Sequence, residues 1–287
     1  METFADYITK ETNLINKMDI LNRLQRLLKE RRGITIFFNN TIIFKTEIAR
    51  MFMEYSNIDI DENLVLTACL LCNCKKIDGP QSLESLHSYA KKGADFLSTL
   101  GFDKRFCKIC EEVNRYSGSE PREPESDILE LVDNFGGMLL DRPERAGFTP
   151  EKAIIQLEEE KYKKCENKYF EQFKEFVELI QEVEANGKVG TVKMKPLYAL
   201  KRACEEYSME KVISGGILGG FQAITNRAVK DKIEEKQENI GKKTYQKDNA
   251  MFGIEVLEEL GINIKKTEND LEENIEISKS TEEQILR

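Results

Sequence analysis

Apolar residues along this chain recur at three- and four-residue spacing, the period of helices that pack by one face. Leu14, Ile15, Met18, Ile20, Leu21, Leu24, Leu27 and Leu28 mark out a helix over residues 13–31, and Gly33 ends it. The same spacing predicts helices near 41–56, 61–74, 82–100, 102–114, 125–140, 162–185 (with a split near Asn167), 196–207, 209–238 and 251–260. Thr149-Pro150-Glu151 opens another: a capping hydroxyl, a proline at the first helical position and an acid in the first turn. Ile34 to Phe38 is a short β-branched and aromatic run without an evident partner strand, and it reads as a buried turn. Turn chemistry places loops at Gly79-Pro80 and over 117–124, and a linker at Asn186-Gly187-Lys188-Val189-Gly190. Residues 265–287, acid-rich and poor in apolar positions, read as a flexible tail. The pattern predicts an all-α protein.

Composition narrows the function. The chain has 287 residues, 40% of them hydrophobic, enough to close a core. A net charge of −9 runs against nonspecific nucleic-acid binding, which rests on neutralising phosphates. No apolar run approaches the ~18 residues of a membrane helix, and the first residues lack the pattern of a signal peptide. Seven cysteines, an odd number, suggest reduced thiols and not a disulfide framework. The expectation is a soluble, cytoplasmic protein that binds neither nucleic acid nor membrane. His87 is the single histidine, so mechanisms that need several imidazoles are excluded, whereas a one-histidine triad is not.

Two segments carry a resemblance. Leu70-Leu71-Cys72-Asn73-Cys74-Lys75-Lys76-Ile77 is similar to the "LLHDIGKI" signature of the HD phosphohydrolase superfamily. Residues 128–135, then Asp141-Arg142-Pro143-Glu144-Arg145, then Thr149-Pro150-Glu151-Lys152-Ala153, resemble the matching stretch of its HD-GYP branch. Thr46-Glu47-Ile48-Ala49 and residues 89–97 resemble further motifs in the right order, so the likeness covers about residues 34–183. It implies an HD-like helical bundle over 34–185, preceded by an amphipathic helix (1–33) and followed by a helical region (191–262) and a tail (263–287).

The family binds two or three metal ions through imidazoles and an adjacent aspartate, and a metal-bound hydroxide attacks a phosphoester. In this register the ligand positions fall on Phe44, Cys72, Asn73 and Tyr89, with Glu111 and Glu112 where paired histidines stand; only Asp133 survives. The resemblance therefore implies a catalytically silent member. Lys76, Arg142 and Arg145 match other conserved-type positions of the motifs and, with Arg115, form a candidate cationic rim for a phosphate or carboxylate. The competing reading gives Arg142 and Arg145 to helix capping and to pairing with Asp133 or Asp141.

Other constellations stay open. Cys69-x-x-Cys72 and Cys107-x-x-Cys110 place thiols on shared helix faces, as buried core residues, a structural zinc site or a redox pair. Glu111, Glu112 and Asp133 are either solvated acids or a weak site for a hard cation. Ser214-Gly215-Gly216-Ile217-Leu218-Gly219-Gly220 lacks the ending of a phosphate-binding loop; its glycine pairs suit close helix packing, a homodimer seam or a hinge. The leading expectation is an inactive HD-GYP-like module without a cofactor, binding a partner protein or a phosphorylated small molecule such as a nucleotide or cyclic dinucleotide. The alternatives are a phosphohydrolase rebuilt around Cys72, Glu111, Glu112 and Asp133 with a divalent metal, and a structural zinc protein.

Overall fold

Local sequence sets the helix ends. The computed structural model describes residues 3–77, 82–143, 145–186 and 193–259. Helix α1 (Phe4–Lys10) starts at Thr3, whose hydroxyl accepts the Asp6 N–H while the Asp6 carboxylate accepts the Thr3 N–H. Asn13 caps α2 (Leu14–Arg32), which stops at Gly33 in the left-handed region. Asn39, Asp61, Ser82 and Asp103 likewise cap α3 (Asn40–Ser56), α4 (Glu62–Leu71), α5 (Leu83–Thr99) and α6 (Lys104–Glu111). Proline leads α7 (Pro124–Leu139) and α8 (Pro150–Gln156), and the Thr149 cap expected for α8 is in place. A π-helical turn (Leu157–Tyr162) follows, then α9 (Phe170–Glu182), α10 (Pro196–Glu206), α11 (Met209–Ser214) and α12 (Ile217–Glu259). Among the described residues the only strands are two-residue segments, β1 (Ala185–Asn186) and β2 (Lys193–Met194), paired antiparallel. The fold is all-α.

Helix α3 is the hub. Every residue from Ile42 to Met53 is buried, as expected of a helix surrounded on all sides, and it packs against α4, α7, α9 and α10. Phe52 meets Phe173 and Phe176 of α9 edge-on or tilted, with ring centroids 5.0 and 5.6 Å apart. Four polar side chains share this buried helix, and each is bonded. Thr46 donates to the Ile42 carbonyl at 2.8 Å, Arg50 reaches Glu47 at 3.0 Å and Asn226 of α12 at 2.6 Å, and Lys45 turns toward α7.

The chain divides into a compact unit over Met1–Lys232 and a second over Ile233–Arg287, whose described part is the remainder of α12. Within the first, Leu197, Leu200, Val212, Ile213 and Leu218 join the same hydrophobic cluster as residues of α2 to α9. The helices beyond the β pair thus share the core of those before it.

Several elements differ from the periodic pattern for identifiable reasons. Helix α4 ends at Leu71, three residues early, because residues 72–75 turn, with Cys74 and Lys76 N–H groups donating back to Leu71 and Asn73. The stretch expected over 162–185 with a split near Asn167 is interrupted there, where Asn167 donates to the Asp127 carbonyl and accepts the Tyr169 N–H. The helix expected over 209–238 breaks at Gly215-Gly216; Gly216 has φ 69°, a conformation that separates α11 from α12. The glycine pairs therefore do not lie along one continuous helix. Gly219 alone makes the anticipated close approach, since a β-carbon there would lie 3.2 Å from Ile15 Cδ1. Helix α12 also runs through the helix expected at 251–260 without interruption. Ile34–Phe38 is irregular backbone, neither the strand nor the turn the sequence offered, with Ile36 and Phe38 buried and the Phe37 N–H donating to the Cys74 carbonyl at 2.8 Å. The loop expected at Gly79-Pro80, residues 187–190 of the expected linker and the expected tail over 263–287 lie outside the described residues.

Lys17 of α2 is 1% exposed, and its ammonium donates to Thr67 Oγ1 of α4. Burial pushes it down to about 8, against the opposing pull of Glu11 and Asp61. Between that value and the ordinary lysine range the unfolded chain holds the extra proton, so this group makes stability rise with pH. Denaturant unfolding at pH 7 and pH 10 should show a gain on the order of 1–2 kcal/mol at the higher pH, relative to a Lys17→Met variant in which that gain is absent.

Candidate functional site

Lys45 and Asp133 organise the site. The Lys45 ammonium donates to Asp133 Oδ1 at 2.7 Å, with 10% and 16% of the two side chains exposed. One glycine of α7 makes room for it: a β-carbon on Gly136 would sit 2.8 Å from Lys45 Cγ, whereas one on Gly137 would be in ordinary contact, 3.7 Å from Lys45 Nζ. A glycine inside a helix costs about 1 kcal/mol against alanine, and at Gly136 the close approach of the lysine stem accounts for it. The same Oδ1 accepts the Asn73 side-chain N–H at 2.8 Å. Asn73 is 1% exposed, and its carbonyl oxygen has no partner among the described residues. Burial would raise the Asp133 carboxyl, but the charges of Lys45 and Lys76 and the hydrogen bonds from Lys45 and Asn73 outweigh it, holding the group well below the usual carboxylate range.

The pair forms one wall of a cleft of about 650 Å³. Lys76 from the 72–76 turn, Tyr89 from α5, Arg142 and Arg145 from the segment after α7, Arg115, and Lys161 from the π-helical turn also line it. Six cationic residues thus face two acidic ones, Asp133 and Glu160, in a chain of net charge −9. Most of those cations are already engaged. Arg115 forks onto the fully buried Glu130 carboxylate with two bonds of 3.0 Å and donates to the Glu166 carbonyl at 2.7 Å. Lys161 meets Glu130 at 2.9 Å. Arg145 donates to the carbonyls of Gly137 and Met138 at 3.1 Å, closing the C-terminal end of α7, and stacks 4.6 Å over Phe148.

Two cations remain without an ion pair among the described residues. Lys76 lies 5.6 Å from the centre of the Tyr89 ring. Arg142 is exposed, and its guanidinium makes one long contact, 3.4 Å to the Gly137 carbonyl. The cationic rim expected from the motifs therefore separates into two residues bound into the architecture, Arg115 and Arg145, and two free to meet a ligand, Lys76 and Arg142.

The remaining sequence candidates scatter. Phe44 is fully buried beside Lys45. Glu112 is fully buried away from the cleft, where its carboxylate accepts the Ser119 hydroxyl, the Glu123 N–H at 2.9 Å and the Ser126 hydroxyl at 2.7 Å, tying the loop before α7. Glu111 lines a different cavity, where His87 stacks on Tyr116 with centroids 3.9 Å apart. The acidic set proposed from Glu111, Glu112 and Asp133 is thus not brought together. Cys69, Cys72 and Cys110 are buried; burial, with Asp133 adding to it, drives Cys69 and Cys72 upward, and neighbouring thiols add to the shift at Cys72. Cys110 is raised by burial and by the surrounding thiols, while Cys107 is only partly buried. Burial likewise pushes Cys74 up to about 12. Zinc binds thiolates, and these surroundings favour thiols.

Among the described residues no group of three or more His, Cys, Asp or Glu side chains is placed to hold a metal ion. A phenyl ring, an amide, a phenol whose ionisation burial opposes, and one carboxylate already satisfied by an ammonium do not fit a two-metal centre. No family model, curated protein or solved structure matches this chain. Lys45 is the residue the motifs did not point to. Its signal is a lone lysine inside the apolar run Ile42-Ile43-Phe44-Lys45, with Gly136-Gly137 as its counterpart in α7.

Removing one partner of a mostly buried pair strands the other. Lys45→Met should destabilise the fold by about 2–4 kcal/mol in urea unfolding, and adding Asp133→Asn to that variant should restore most of the loss. If the single and double variants are equally unstable, the pair does not hold the site together.

Proposed function

We propose that this chain is a binding module on an HD-like helical scaffold, which takes a phosphorylated small molecule into the Lys76–Arg142 cleft and carries out no metal-dependent hydrolysis there. One observation carries this reading: two cations without carboxylate partners line a concave site in an acidic protein, while the carboxylate beside them is neutralised internally by Lys45. An anion entering the cleft gains charge-assisted hydrogen bonds without first displacing an acidic side chain from Lys76 or Arg142.

The HD-like part of the proposal is supported by where the motif positions meet. Asn73 and Asp133 are hydrogen-bonded, and Tyr89, Lys76, Asp133, Arg142 and Arg145 line one cleft, although they are spread over some seventy positions of the chain. The inactive part is supported by chemistry. A metal-bound hydroxide needs ligands with available lone pairs, and here an ammonium takes the place facing the retained carboxylate. No observation of the cysteines or acids favours the rebuilt hydrolase or the structural zinc protein.

Calorimetry with inorganic pyrophosphate tests the proposal. Wild-type protein should bind it, and Arg142→Ala should weaken binding by about tenfold, the worth of a lost charge-assisted hydrogen bond, with an unchanged melting temperature. Arg145→Ala should instead cost about 1–3 kcal/mol of stability, because that guanidinium holds the end of α7. Absence of pyrophosphate binding to the wild-type protein would remove the reading.

A further inference from the structure

Lys76 differs from the other lysines of the cleft. Lys45 is fixed on Asp133 and Lys161 on Glu130, whereas Lys76 lines the same cleft of about 650 Å³ half-buried and without an ion pair among the described residues, its amine 5.6 Å from the centre of the Tyr89 ring. The charges that act on it are Asp133 first, then Lys45 and Arg142. A half-buried amine that shares a cleft with other cations, while the nearby carboxylate is bonded to Lys45 and Asn73, is an arrangement that makes lysine a nucleophile toward carbonyl compounds.

We propose that Lys76 is a reactive amine that forms a reversible imine with a small carbonyl compound, an aldehyde or ketone bearing a phosphate or carboxylate that Arg142 holds. The inference rests on the anion-binding reading of the cleft and adds the chemistry of its ligand. Burial lowers Lys76 below the ordinary lysine range and the Lys45 and Arg142 charges add to that, while Asp133 opposes them.

The step is balanced without a further reagent. Lys76 loses one proton to solvent, and its lone pair forms the N–C bond as the carbonyl π pair moves to oxygen, which takes a proton. The resulting carbinolamine loses that hydroxyl with the remaining nitrogen proton as one water molecule, leaving the C=N bond. Nothing is oxidised or reduced. The anionic group of the ligand stays beside Arg142, and the geometry of the cleft sets which carbonyl carbons come within reach of the amine.

The test uses glyoxylate, an aldehyde that carries a carboxylate, with cyanoborohydride to trap the imine as a secondary amine. Peptide mass mapping of the full chain at low glyoxylate should find Lys76 modified about tenfold faster than the exposed Lys91, and pyrophosphate should slow Lys76 alone. A Lys76→Arg variant, which keeps the charge but forms no such imine, should lose only that adduct. Labelling of Lys76 no faster than Lys91 overturns the proposal. If pyrophosphate still binds in that case, the anion cleft stands and the amine chemistry falls. Fast labelling of Lys76 that pyrophosphate does not slow supports the amine and refutes the anionic ligand.

Discussion

A positive charge fixed beside a carboxylate, in a place largely closed to water, is the constraint around which this site is built. Neither Lys45 nor Asp133 tolerates that environment alone: desolvation of a single charge costs several kcal/mol, and the attraction between the two, with the Asn73 hydrogen bond, offsets it. The pair brings together α3, the helix on which every residue from Ile42 to Met53 is buried, and α7, whose Gly136 accepts the lysine stem. The turn bearing Asn73 and Lys76 is fastened to the same carboxylate. Helix hub, turn and cleft wall therefore share one electrostatic centre.

That centre also determines what the cleft offers. With Asp133 compensated internally, the surrounding cations are left to their other partners, and the buried Glu130 collects Arg115 and Lys161. Lys76 and Arg142 stay available at the opening. In a chain with nine more acids than bases, this cleft is a local excess of positive charge against an acidic whole. The same logic explains why Arg142 and Arg145, one turn apart in the same motif, divide their work. Arg145 is aimed at carbonyls that a helix end leaves without partners, and Arg142 projects outward from a backbone bridge to it.

Much of this architecture was legible before the structure. Period located helices because it is local, and at Thr149 the cap marked the start; Asn13, Asp61 and Ser82, the first positions of expected helices, are caps in the structure. The breaks were legible in part. The interruption before Phe170 falls at the expected split near Asn167, while the contact that fixes it, Asn167 reaching Asp127 forty positions away, is contained in no periodicity. Gly216 was visible, yet its role as a helix separator and not a packing surface was decided by its backbone conformation. At the site, Lys76, Tyr89, Asp133 and Arg142, which the motifs named, line one cleft, and Asn73 is hydrogen-bonded to Asp133. The order of motifs misjudged Glu111 and Glu112, which adjoin in sequence but face different surroundings, and it passed over Lys45, because a single lysine in an apolar run announces itself only once its partner across the core is known.

The central claim is that Lys45 supplies the cation that Asp133 would otherwise share with a metal ion. Electron paramagnetic resonance of the wild-type protein titrated with Mn²⁺ addresses it directly, since free and protein-bound ion give distinct spectra. The account predicts that the signal of free Mn²⁺ persists at one equivalent. Stoichiometric loss of that signal, reversed by Asp133→Asn, would contradict it.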